Sequence, residues 1–118
     1  MKILRKEKIN EVLNTNELDA IYELKNKLLK SFPGVELILF GSKVRGDFEE
    51  FSDIDILILV DKNVDHRLKD NIIEIAYDIE LKYDIVFGFI IENKKLWRSP
   101  RYKVMPLYQN VEREGILI

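Results

Sequence analysis

Two short runs of nearly unbroken apolar residues constrain this chain most. The first is VELILF at 35–40. The second is opened by Ser52 and Asp53 and runs to Val60 as DIDILILV. Neither alternates apolar with polar, so each reads as a strand covered on both faces. Only Asp53 and Asp55 break the second run. The connection between the runs is short: Gly41 ends the first strand, Ser42 to Gly46 reads as a loop or helical turn, and DFEE at 47–50 reads as a solvated loop.

The flanks supply the layers that such strands need. Residues 1–14 are mixed and read as one short helix. Asn16 is a plausible N-cap for a helix over 17–32, where Leu18, Ile21, Tyr22, Leu24, Leu28, Leu29 and Phe32 recur at helical spacing and Pro33-Gly34 stops the pattern. After Val60, residues 61–65 form a turn with a cap-like Asp65. Leu68, Ile72, Ile75, Ala76 and Ile79 mark a second amphipathic helix, and residues 83–91 a third strand with Asp84 near its start. Leu96-Trp97 reads as a helical fragment, and Pro106 as the first turn of a short helix ended by Gly115. The expectation is an α+β fold of one domain over 1–118, with a small mixed three-stranded sheet and helices packed on it. The short first connection makes strands one and two antiparallel; the helical crossover makes strands two and three parallel. Gly41-Ser42, Asp53 with Asp55, and Asp84 then share one end of the sheet.

Composition narrows the function classes. The 118 residues carry a formal net charge of −2, so overall charge gives no reason to expect nucleic acid as a partner. Cysteine is absent, which excludes disulfides and thiolate metal sites and fits a reducing compartment. The start, MKILRKEKIN, lacks the apolar core of a signal peptide, and no run approaches the roughly 20 apolar residues of a membrane span. A cytoplasmic protein with no membrane partner is expected.

The chemistry lies at the strand ends. Residues two apart on a strand face the same side, so Asp53 and Asp55 project together and repel each other. A divalent cation is the natural compensation, and oxygen-only ligands suit Mg²⁺ or Mn²⁺. With Asp84 as a third acid, the set would fit two ions about 3.5–4 Å apart, the arrangement that serves in-line displacement at phosphorus. Gly41 allows a phosphate close to the backbone, Ser42 adds a hydroxyl and a possible helix start, and Lys43 and Arg45 offer positive charge, Arg45 being the preferred contact.

These residues resemble a known family. G-S-x10-D-x-D is the signature of the nucleotidyltransferase superfamily that includes DNA polymerase beta. The fuller form, GSKVRGDFEEFSDIDILI, looks like the minimal nucleotidyltransferase (MNT) domains of bacteria and archaea, and the ending PLYQNVEREGILI is similar to theirs. The resemblance implies a polymerase beta-type fold. It implies ATP on Gly41, Ser42 and Arg45, with two Mg²⁺ ions on Asp53, Asp55 and Asp84. It also implies an antitoxin role beside a HEPN ribonuclease toxin, inactivated by transfer of AMP to one of its tyrosines. A second domain, as in larger relatives that modify small molecules, is missing from this sequence.

Plainer readings stand beside these. Asp53 and Asp55 could serve as strand-edge caps, Gly41-Ser42 as an ordinary turn, Asp84 as a lone cap and Lys43 as solvated surface. Trp97, Tyr102 and Tyr108 could form a partner surface or core packing. His66, the one histidine, is expected to be exposed and without chemistry. The function alternatives are an antitoxin that works by occlusion alone, and a transferase acting on a small molecule or an RNA end.

Overall fold

The computed structural model of the chain describes residues 8–46 and 53–118. The loop expected at 47–50, Ser52 as a strand start and the first half of the N-terminal segment expected as a helix fall outside them. Within the described residues the order is α1 (Ile9–Val12), α2 (Thr15–Ser31), β1 (Glu36–Phe40), α3 (Ser42–Arg45), β2 (Ile54–Val60), α4 (His66–Tyr83), β3 (Phe87–Asn93), α5 (Lys94–Trp97), α6 (Pro100–Lys103), α7 (Pro106–Glu114) and β4 (Ile116–Leu117).

The sheet has the order β3-β2-β1-β4. As expected, β1 pairs antiparallel with β2, and β2 pairs parallel with β3 through the α4 crossover. The sheet has four strands where three were expected. The extra strand is two residues long, Ile116 and Leu117 opposite Leu39 and Ile38, too short to leave a periodic signal.

Strand alternation divides the core into two layers. Ile54, Ile56, Ile58 and Val60 of β2 join Leu37 and Leu39 of β1 under α2 and α4. Leu57 and Leu59 join Ile38, Trp97 and Val111 on the opposite face, beneath α5 and α7. The β2 residues from Ile56 to Val60 are all fully buried, and each such side chain contributes about 1.5–3 kcal/mol on leaving water. Trp97 belongs to this second layer, with Tyr102 and Tyr108 ring centroids 6.0 and 5.1 Å away, so core packing is the reading that holds for that aromatic group.

Two helix boundaries differ from expectation. Asn14, not Asn16, caps α2. The Glu17 N–H donates to the Asn14 side chain (2.8 Å) and the Asn14 N–H donates to Glu17 Oε1 (2.9 Å), a reciprocal box that needs Glu at the third helical position and is satisfied only from Asn14. Asn16 instead donates to the Tyr83 carbonyl at the end of α4 (2.8 Å). At that end α4 continues through Tyr83, and β3 begins at Phe87 rather than at residue 83.

Candidate active site

Register places the acids. Ile54, on β2, belongs to the thick layer under α2 and α4. Asp53 and Asp55 therefore share the side of Leu57 and Leu59, the thin layer beneath α5 and α7. Leu57 and Leu59 are fully covered, whereas Asp55 is half-buried and Asp53 exposed. The strand thus enters its core as it leaves the pair of carboxylates.

Asp55 is held between two backbones. It pairs with Phe40 of β1, the residue before Gly41, and with Gly88 of β3. A Cβ at Gly41 would overlap the Asp55 carboxylate, and one at Gly88 would come 2.8 Å from Asp55 Oδ1 and 3.9 Å from Asp53 Cβ. Gly41 also has φ +87°, a conformation that L side chains rarely adopt. Its carbonyl accepts from the N–H groups of Val44 and Arg45 (3.1 and 3.2 Å), turning the chain into α3, and Gly46 in the left-handed conformation ends that turn. Ser42 is the first residue of α3, beside this arrangement.

Electrostatics fit a cation-binding pair. Burial pushes the Asp55 carboxyl above its usual range, the neighbouring Asp53 charge pushes it further, Arg45 opposes, and Glu114 adds to the rise. Two oxygen ligands on one strand end, with Arg45 offsetting only part of their negative charge, suit a divalent ion that completes its shell with water and phosphate oxygens. These are the residues that would hold Mg²⁺ or Mn²⁺.

Glu114, which sequence reasoning missed, joins the site from the other end of the chain. The Gly41 N–H and Arg45 Nη1 both donate to its Oε1 at 3.1 Å. It is the last residue of α7, next to Gly115, where a Cβ would meet the Val111 carbonyl oxygen at 2.5 Å and Ile38 Cγ2 at 2.8 Å. That close approach is why a glycine follows it. Glu114 sits 73 residues from Gly41, so no local pattern announces their contact.

The nucleotidyltransferase domain family matches residues 21–112. The chain belongs to that family. Two relatives from Methanocaldococcus jannaschii carry the names "Putative protein adenylyltransferase MJ0604" and "Putative protein adenylyltransferase MJ0141". The first is 38% identical over 85% of this chain and 95% of its own length; the second is 41% identical over 77% and 86%. Among solved structures, "Crystal structure of the toxin-antitoxin with AMP-PNP" shares the fold with TM-score 0.57 and 23% identity, covering 88% of this chain and 72% of that one. A structure of a mutant MntA-HpeT toxin-antitoxin gives a TM-score of 0.52 and 25% identity over 90% and 72%.

Two basic residues of this nucleotidyltransferase have different surroundings. Lys43 is buried, and its Nζ pairs with Glu17 Oε2 at 2.9 Å, tying α3 to the start of α2. That corrects its reading as solvated surface or as a charge offered to phosphate. Arg45 is half exposed and pairs with Glu114.

Asp84 is not brought to the pair. It is the C-cap of α4, exposed, at φ 54° and ψ 53°, and its N–H donates to the Glu80 carbonyl. Aspartate tolerates this left-handed conformation better than most residues, so its lone-cap reading fits the observed backbone. Val86 and Gly88 stand beside Asp53 and Asp55 instead: the Ile54 N–H donates to the Val86 carbonyl (3.0 Å), and Gly88 is opposite Asp55. Among the described residues no group of three or more His, Cys, Asp or Glu side chains has the arrangement of a metal site. His66 is exposed, near Asp70 at 3.5 Å and remote in sequence from these residues. No helix among the described residues is long and apolar enough to cross a membrane.

Proposed function

We propose that this chain transfers AMP from ATP, in a magnesium-dependent reaction, to a tyrosine of a partner HEPN ribonuclease toxin, and so acts as its antitoxin. The observation that carries the chemistry is the strand end where Asp53 and Asp55 face the side of Gly41, with the Gly41 and Gly88 backbones against Asp55. The names of the two archaeal relatives support protein as the acceptor. The toxin-antitoxin relationship of the 25%-identical structural neighbour supports a bound partner protein.

In this reading Gly41, Ser42 and Arg45 hold the phosphates, and Asp53 and Asp55 hold magnesium. The bound ions supply charge neutralisation at the phosphates. The glycines keep the approach to the carboxylates open. The partner tyrosine oxygen forms a bond to the α-phosphorus as the bond to pyrophosphate breaks. Positioning and electrostatics account for most of the acceleration, because the chain contributes no covalent intermediate. The partner is seated against the open side of the acid pair.

The test is intact mass. The chain is incubated with the product of its neighbouring gene and ATP–Mg²⁺, and that product, the candidate toxin, is weighed. A gain of whole AMP units is expected, abolished in the Asp53→Ala/Asp55→Ala double variant. A stable complex with unchanged toxin mass would instead establish occlusion without catalysis.

A further inference from the structure

We infer that Glu114 controls nucleotide entry: its carboxylate holds the place that a phosphate of the incoming nucleoside triphosphate takes, and loading displaces it. This rests on the reading of Gly41, Ser42 and Arg45 as phosphate contacts.

The donor set is the first argument. A backbone N–H and a guanidinium converge on one anionic oxygen, Glu114 Oε1, at 3.1 Å each, with a further Arg45 contact to Oε2 at 3.4 Å. A backbone amide and an arginine together are what a phosphate oxygen is commonly bound by. A carboxylate presents the same charge sign and the same acceptor atoms, so it can stand in for the phosphate when no nucleotide is bound.

The second argument is the freedom of the parts. The Glu114 side chain is 12% exposed and that of Arg45 is 49% exposed. The backbone beside Glu114 is pinned by the tight packing of Gly115 on Val111 and Ile38. Its side chain, with three rotatable bonds, can turn without moving α7. Arg45 lies at the surface and can follow a ligand.

The third argument is charge. The Glu114 carboxylate sits on the Gly41 N–H and the Arg45 guanidinium, beside the Gly41 backbone that packs on Asp55. A triphosphate arriving with Glu114 in place would meet a further negative charge on the very donors it needs. Displacement removes that repulsion and releases the Gly41 N–H and Arg45 from Glu114.

A plain fastening of α7 to α3 predicts the opposite sign. If Glu114 served only to hold Arg45 and Gly41 in position, removing its charge would weaken nucleotide binding. The inference requires it to tighten.

Glu114→Gln keeps a carbonyl oxygen for the Gly41 N–H and removes the competing charge. Binding of α,β-methylene-ATP with Mg²⁺ is measured by calorimetry on the wild type and this variant, with far-UV circular dichroism as the folding check. The dissociation constant is expected to fall about three- to tenfold. An unchanged or larger constant in a folded variant overturns the inference. A wild-type measurement covers the case of a variant that does not fold: the Gly41 amide resonance must shift at saturation with the analogue, because its acceptor changes. A stationary Gly41 resonance at saturation overturns the inference. If the wild type binds no analogue at all, the phosphate-contact reading fails along with it; if it binds normally and Glu114→Gln binds no tighter, only the present inference fails.

Discussion

Asp55 occupies the volume that a side chain at Gly41 would need. A Cβ there would overlap the Asp55 carboxylate and approach its Cγ and Cβ at 3.0 and 3.1 Å. The turn that ends β1 and the acid that opens β2 are therefore one packed unit. Gly41→Ala must both leave a conformation reserved for glycine and push Asp55 aside. We expect a loss of at least about 2 kcal/mol in stability, read by urea denaturation. We expect AMP transfer to fall roughly hundredfold or more, as for a displaced catalytic group. A variant that unfolds at the wild-type urea midpoint would show that Asp55 is not held against this backbone.

Gly88 tests the other side of the same carboxylate. Its backbone has no positive φ, so alanine is not strained there. The contact is instead with Asp55 Oδ1, at 2.8 Å from the position of a Cβ. Gly88→Ala should change stability by less than about 1 kcal/mol while lowering transfer about tenfold, because only the carboxylate has to move. Thermal melting and initial rates with labelled ATP check the two halves. Wild-type rates would refute the close approach of β3 to the acid pair.

What could be read from the sequence follows the range of each signal. The strands β1 and β2, the crossover helix α4 and its Asp65 cap are set by neighbours a few residues apart, and all were visible. The sharing of one face by Asp53 and Asp55 needed only strand alternation. The Asn14 cap also lies within local range, because its decisive partner, Glu17, is three residues on, although Asn16 is the cap expected from sequence. Glu114, β4 and Gly88 were invisible because their roles come from pairings across 73 residues, across the sheet edge and across a parallel register. Asp84 was expected on a strand because Tyr83, Ile85, Val86 and Phe87 suit one. Helix α4 keeps Tyr83 for its last turn, and the left-handed cap at Asp84 uses up the residues between.

Lys43 and Arg45, two residues apart on α3, should separate stability from binding. Lys43 is paired with Glu17, whose other oxygen is engaged in the α2 cap. Lys43→Met leaves that buried carboxylate without its cation, at a cost of about 3 kcal/mol in stability. Its effect on the nucleotide dissociation constant should stay within about twofold, since the charge faces α2 rather than the ligand. Arg45→Ala should do the reverse, with binding about tenfold weaker and the melting temperature little changed, because the Arg45 end of the pair is half exposed and the Gly41 N–H still donates to Glu114. Calorimetry with the non-hydrolysable analogue and urea denaturation decide it. The assignment fails if Lys43→Met loses binding at full stability.

Asp55 should trade stability for function. Burial, and then the Asp53 charge, hold its carboxyl above the usual aspartate range, so the fold disfavours the charged form. The sign follows from proton linkage. In the window between the unfolded value and the raised folded value, the native state binds more protons than the unfolded state, so stability falls as pH rises through it. Above the window the penalty is fully present, and below it the penalty vanishes. Asp55→Asn carries no such charge. At neutral pH it should melt about 2 °C higher than the wild type, a modest gain because Asp55 is only part-buried. The difference should shrink as the pH is lowered into the range where aspartate protonates. Transfer of AMP should be lost in the same variant. Scanning calorimetry at several pH values, beside a transfer assay, reads both effects. A variant that melts below the wild type at neutral pH would mean that the Asp55 carboxylate is stabilised by its surroundings, and the case for an acid pair awaiting a cation would fall with it.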